Sequence, residues 1–210
     1  MEPILTNLHK DELVEIINIG ASKAATALSN MIGGRKVVIQ VPEVFVDHPE
    51  KVPAFVDNLQ KVETVVLLKF LGDTPGVMIF SFEPKSALKL ASFLTSGHKE
   101  QLPVLDEFDR SALKEAGNVL SGAVVSSLSS FLNLNIQQSV PDTATDMFGS
   151  IIDAIIVEMS EHTNEVLVFR VNFGIIDTNN IEISGQMIFM FEPQATTKII
   201  EALKIKFPNI

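Results

Sequence analysis

The hydrophobic positions of this chain follow two rhythms, and the rhythms alternate in the same order twice. From about Leu8 to Met31, apolar or small residues recur every three or four positions: Leu13, Ile16, Ile17, Gly20, Ala21, Ala24, Leu28 and Met31. That spacing makes one core-facing stripe of a helix. Asp11, Glu15, Asn18, Ser22 and Ser29 fall on the opposite face. Asn7 is positioned as a cap, and Gly33-Gly34 as a stop. The β-branched run Val37–Val41 reads as a strand closed by Pro42. Residues 42–60 are less regular, with Pro49, Pro53 and a short helical stretch at Ala54–Leu59. Val62–Leu71 and Val77–Phe82 read as two strands of a hairpin around the turn Gly72–Gly76. Pro84 suits the first turn of a helix running to about Thr95, and Ser96–Pro103 reads as a linker.

The same series then restarts. Asp106 caps a helix from about Glu107 to Leu132, with Asp109 placed as in a capping box. Its apolar stripe is Leu113, Ala116, Gly117, Leu120, Val124, Leu128 and Phe131, with Glu115 and Asn118 on the other face. Asn135–Val140 reads as a strand closed by Pro141. Thr143–Glu158 reads as an amphipathic helix that the first half lacks or keeps only as a remnant. Strands Glu165–Phe173 and Glu182–Phe191 follow, joined by a turn around Asp177–Asn180, and Pro193 opens a last helix to about Ile205. Gly76-Val-Met-Ile-Phe-Ser-Phe-Glu-Pro84 nearly repeats as Gly185-Gln-Met-Ile-Phe-Met-Phe-Glu-Pro193. Such self-similarity indicates duplication. Three strands alone are weak, so the two halves are predicted to share one sheet. The expected fold is α+β with two layers. A central six-stranded, mainly antiparallel sheet with pseudo-two-fold symmetry is flanked by long helices. The expected organisation is a single domain, 1–210, built from repeats of about 8–96 and 106–207.

Composition narrows the function. The 210 residues are 46% hydrophobic and 20% charged, which suits a globular chain with a sizeable core. There is no Cys, so disulfides, thiolate nucleophiles and thiolate metal sites are excluded. The formal net charge of −10 and the absence of Trp and Tyr argue against nucleic acid as the main partner. Mean hydropathy is +0.29, yet Lys69 interrupts one apolar run and Asp153 and Glu158 another, both short of the ~20 residues a spanning helix needs. No basic segment followed by an apolar core marks a secretory signal, and a cytoplasmic location without membrane insertion is expected. His9, His48, His98 and His162 are far apart and read as solvated, not as a metal site or triad.

The candidate chemistry lies on the two long helices. Glu15 and Asn18, and again Glu115 and Asn118, stand three apart, hence side by side on a helix face. An exposed Glu is a weak base and Asn does not titrate. An amide, however, accepts and donates at once and can hold a water at a fixed angle. Phosphoryl transfer needs that kind of positioning more than a strong base. Small residues follow each Asn (Gly20, Ala21, Ser22; Ser121, Gly122, Ala123) and are expected to let a partner approach closely. One Glu-x-x-Asn is a weak signal, and a third, Glu161–Asn164, lies in a turn. Two copies at matched positions of matched helices are a stronger one.

Asp11/Ser111, Glu15/Glu115, Asn18/Asn118 and Pro42/Pro141 resemble the signature of the CheC family of chemotaxis phosphatases: Asp or Ser, three residues, Glu, two, Asn, about twenty-two, Pro. The resemblance spans nearly the whole chain, and two sites in this length are most similar to the CheC pattern. It implies hydrolysis of the aspartyl phosphate of the response regulator CheY. The Glu would dock on CheY and the Asn would orient the attacking water. CheY would supply Mg²⁺, and this chain would bind no cofactor or metal. It also implies binding of CheD, a receptor-modifying deamidase, through the extra helix of the second half, at Asp146. Two departures set the first site below the second. Ile17 stands where the family usually has Gly, as at Gly117, and the interval to Pro42 is one residue longer. The rival reading is a non-catalytic adaptor for CheY or CheD. A flagellar-switch component is disfavoured because no extra domain is visible.

Overall fold

The computed structural model describes residues 6–40, 42–96, 104–159, 165–177 and 180–207. His98, His162, most of the linker at 97–103 and the Glu161–Asn164 pattern lie outside the described residues. Helix α1 spans Asn7–Met31 and α4 spans Glu107–Leu132, with α2 (Val52–Phe55) and α3 (Pro84–Leu94) between them. Helices α5 (Phe148–Met159) and α6 (Pro193–Lys206) follow. The strands are β1 (Lys36–Ile39), β2 (Glu43–Asp47), β3 (Val62–Gly72), β4 (Gly76–Phe82), β5 (Ile136–Gln138), β6 (Asp142–Met147), β7 (Val166–Asp177) and β8 (Asn180–Phe191).

Every strand pairing is antiparallel, in the order β1-β7-β8-β4-β3-β5. Strand β2 continues the β1 lane along β7, and β6 continues the β5 lane along β3. The expected six strands are thus six lanes, with each edge lane broken in two. The breaks fall at the prolines, which have no N–H to donate to a ladder. The last rungs before them are Gln40 N–H to Asn172 O and Ser139 N–H to Lys69 O, each 2.9 Å. The sequence reading ended both strands at these prolines. The long strands β7 (12 residues) and β3 (11 residues) outlast them, and an unpaired edge of that length is covered by resumed pairing.

Two helices therefore move. The extra helix of the second half begins at Phe148, not Thr143, because Asp142–Met147 is taken up by β6. Asp146 lies on that edge strand, opposite Glu63, and not on the helix. In the first half the short helix is Val52–Phe55, preceded by a 3₁₀ turn at Pro49–Lys51, and not Ala54–Leu59. Pro53 suits a first turn, and Val56, in extended backbone (φ −102°, ψ 132°), ends the helix. This segment is the remnant counterpart of α5.

The two halves meet at the centre. Strand β4 pairs with β8 so that Ile79 faces Ile188. Each stands three residues into its copy of the repeated segment, so the pseudo-two-fold axis passes between them. Gly76 and Gly185 open the two copies, and both are needed for close approach. A Cβ on Gly76 would lie 2.3 Å from Met190 O, and one on Gly185 2.6 Å from Ser81 O.

One face of the sheet carries the main core, under α1, α3, α4 and α6. Leu13, Ile16, Ile17 and Leu28 of α1 are at most 1% exposed, each such burial contributing about 1.5–3 kcal/mol. The other face holds a smaller core under α2 and α5, around Val65, Ile79, Val168, Ile188, Phe148 and Ile152. Arg170 clamps its margin. It donates to both Glu43 oxygens (2.8 and 2.9 Å) and to Asp57 (2.6 Å), and lies over the Phe55 ring.

Helix ends explain the unequal Asn-to-Pro intervals. After α1, Gly33 and Gly34 are both left-handed (φ 72° and 81°), whereas after α4 a single residue, Asn133 (φ 54°), makes that turn. The α1 cap is Thr6, which accepts from His9 N, and not Asn7. The capping box at Asp106 and Asp109 forms as expected. His9 is buried rather than solvated, with Nδ1 2.8 Å from Thr6 Oγ1. No described helix is long and apolar enough to cross a membrane.

Candidate functional site

The two Glu/Asn helices present their motifs alike. Along residues 11–20 and 111–120 the order of exposed, intermediate and buried positions is the same throughout. Asp11 and Ser111 are exposed, as are Glu15 and Glu115, while Asn18 and Asn118 are half-buried. The helical stripe fixes this, since it turns the intervening apolar residues onto the sheet.

Their surroundings differ. Gln138 of β5 donates from Nε2 to Asn118 Oδ1 at 2.7 Å and to the Asn118 backbone oxygen at 3.3 Å. A backbone carbonyl only accepts, so the Gln138 atom facing it is the NH₂. That orientation makes Oδ1 the inward atom of the Asn118 amide and leaves the Asn118 NH₂ outward. Counting back from the prolines, Ile39 occupies the place of Gln138 in the first half. Asn18 instead borders an open groove of about 450 Å³ with Ser22, Ser29, Lys36, Val37 and Ile39. The second amide is held in one orientation; no hydrogen bond among the described residues holds the first.

The sites do not face each other. One leans on β1 and the other on β5, the two edge lanes. Four strands, β7, β8, β4 and β3, lie between those lanes.

Two sequence expectations are corrected here. Ile17 is fully buried, and Gly117 is buried on the equivalent face. Neither borders the partner side, so Ile17 does not obstruct approach to Asn18. Gly117 is small because its Cβ would lie 2.7 Å from Val66 Cγ1. Likewise, Gly20 serves the contact between α1 and α4, and Ala21 is fully buried in the main core, so neither is open to a visiting partner. A Cβ on Gly20 would lie 2.8 Å from Val124 Cα, and Ser121 is also buried. Only Ser22, Gly122 and Ala123 stay near the surface.

Of the supporting residues, Pro42 is buried and Pro141 half-buried, each at an edge-lane break beside its site. Next to Pro141, Lys114 pairs with Asp142 at 3.4 Å. The Asp142 carboxyl is held below its ordinary range, first by the Thr143 N–H and then by Lys114. Asp146 is exposed and accepts from Met147 N–H at 2.7 Å. It borders a shallow cleft with Leu67, Ser150, Ile151 and Glu158. Among the described residues no group of three or more His, Cys, Asp or Glu could hold a metal ion. Gln138 escaped the sequence reading, although its place three residues before the closing proline was the available signal.

A sequence model described as CheC-like family matches residues 8–46 and 108–144. Each match runs from the Glu/Asn helix through the closing proline, so both copies are covered. Both copies of the helix-to-proline stretch thus resemble the CheC-like family. It is 27% identical over 196 residues to the CheY-P phosphatase CheC of Bacillus subtilis, covering 92% of each chain. It is 30% identical over 138 residues to the flagellar motor switch phosphatase FliY of the same organism, covering 65% of this chain and 35% of that one. The crystal structure of Thermotoga maritima FliY superposes with a TM-score of 0.74 at 24% identity, over 97% of this chain and 100% of that chain. CheX from a complex with CheY, BeF₃ and Mg²⁺ of Borrelia burgdorferi gives 0.54 at 17% identity, over 85% and 99%. This chain shares the fold of these structures.

Proposed function

We propose that this protein is a phosphatase of phosphorylated CheY in chemotaxis, with two separate half-sites, Glu15/Asn18 and Glu115/Asn118. The observation that carries the reading is the Asn118 amide, fixed by Gln138 on a helix face that also exposes Glu115 one turn earlier. Similarity to a CheY-P phosphatase over 92% of the chain supports the substrate. The exposed carboxylate docks on a cation of the regulator. The amide meets the phosphoryl group from outside, donating through Nδ2 to a phosphoryl oxygen. The second lone pair of Oδ1 accepts a hydrogen bond from the attacking water and so aims it. The regulator brings the phosphoryl group and its Mg²⁺; this chain contributes position and no cofactor.

In the same reading the protein is one domain of two repeats, about 8–96 and 106–207, working in the cytoplasm. CheD binds where Asp146 and α5 border their shared cleft, and so tunes the activity.

The test is the lifetime of radiolabelled phospho-CheY. The wild-type protein shortens it, and the quadruple change Glu15→Ala, Asn18→Ala, Glu115→Ala, Asn118→Ala restores the lifetime of CheY alone. No acceleration by the wild-type protein, with or without CheD, would leave the adaptor reading in its place.

A further inference from the structure

On the sheet face away from α1 and α4, helices α2 and α5 cover only one end among the described residues. The uncovered end forms a cleft of about 350 Å³ between β1, β3, β4, β7 and β8, a volume in the range of small-ligand sites. Its side chains are rich in acceptors. Glu63 is 2% exposed and accepts from Ser81 Oγ at 2.9 Å. Gln186 is 5% exposed, and its Oε1 is buried with no hydrogen-bond partner. Asn172 spends its NH₂ on Gln40 Oε1 at 3.1 Å, which leaves its own oxygen to accept. Asp57 and Glu83 stand at the rim, paired outward with Arg170 and Lys61. Among the described residues, no Lys, Arg or His lines the cleft.

A buried acceptor without a donor is destabilising, and here one lies in the same cleft as a buried carboxyl. Burial holds the Glu63 carboxyl above its ordinary range, with Ser81 and Lys61 opposing and Glu83 adding to the rise. Such a carboxyl gains most from a ligand that carries both positive charge and N–H donors. With one acid inside, the matching ligand is a monocation, and the three N–H bonds of an ammonium group suit Glu63, Gln186 Oε1 and Asn172 Oδ1.

We infer that this cleft is a binding site for a small alkylammonium compound, formed by Glu63, Gln186 and Asn172 on the face opposite the two Glu/Asn helices. The inference is independent of the phosphatase reading. The test is a titration of the whole ¹⁵N-labelled protein with n-butylammonium, against tetramethylammonium, which has equal charge and no N–H. Saturable amide shifts are expected at Ser81, Gly185 and Gln186 with n-butylammonium only. Glu63→Gln, nearly isosteric, should weaken binding roughly tenfold or more, and Gln186→Leu by a smaller factor. Equal shifts with tetramethylammonium overturn the inference. So does affinity unchanged in folded Glu63→Gln and Gln186→Leu proteins, or no saturable shift at about 10 mM.

Discussion

The two Glu/Asn motifs lie on two like helices with the same exposure pattern, and their surroundings differ in one neighbour. Asn118 has the Gln138 amide against it; Asn18 has Ile39 and an open groove. A side chain already held in one orientation gives up less rotamer entropy when it engages a phosphoryl group. The difference teaches that a duplicated motif is not a duplicated site. The residues we propose to contact a partner are repeated here, whereas the residue that orients one of them is not. The sequence ranking of the second site above the first is kept in our proposal, but its reason changes. Ile17 lies in the core and bears on packing alone.

The largest expected effect comes from removing the held amide. Asn118→Ala should lower the rate of CheY-P hydrolysis on the order of tenfold, the remainder being the first site, whereas Asn18→Ala should cost less than about twofold. Equal or reversed losses in the dephosphorylation assay would break the ranking. Next is the neighbour itself. In an Asn18→Ala background, Gln138→Leu should lower kcat about fivefold with KM little changed, as loss of one orienting hydrogen bond implies. A rise in KM alone would make Gln138 part of the docking surface instead. The converse is smaller: in an Asn118→Ala background, Ile39→Gln should raise first-site activity about twofold.

The smallest effect concerns stability beside the second site. The Asp142 side chain is 85% exposed, so solvent screens its pair with Lys114, and Lys114→Met should cost about 0.5 kcal/mol or less. Because the Asp142 carboxyl is lowered in the folded protein, the pair contributes fully above the unfolded value near 3.9. It is lost as pH falls through the lowered value. Wild-type and Lys114→Met melting curves should therefore differ slightly at pH 7 and converge in acid; a gap that widens in acid would assign the loss to packing of the Lys stem.

Much was legible along the chain because periodicity is local physics. The stripe from Leu13 to Leu28, its counterpart from Leu113 to Leu128, and the repeated segment opening at Gly76 and Gly185 each declared their element. The edge strands were not legible. Asp142–Met147 carries acids at both ends and two threonines, and it pairs because β3 offers it a free edge. Val52–Phe55 is too short to show a period. The small residues Gly20, Ala21 and Ser121 looked like room for a partner, since smallness is the same signal whether the neighbour is another molecule or another helix.

The sequence by itself determined the pair of Glu/Asn helix faces, the duplication and the prolines that break each edge lane. A 3.6-residue period and a proline without N–H act within a few residues of chain. Only the tertiary structure decided that the first strands of each half cross to pair with the other half, β1 with β7 and β5 with β3. That exchange sets the two Glu/Asn sites at opposite edges of one sheet and makes them separate. It also brings Gln138 to Asn118, twenty residues away in sequence, and leaves Asn18 beside Ile39. Which side chain stands against an amide depends on how helix and strand pack, and no local period carries that information.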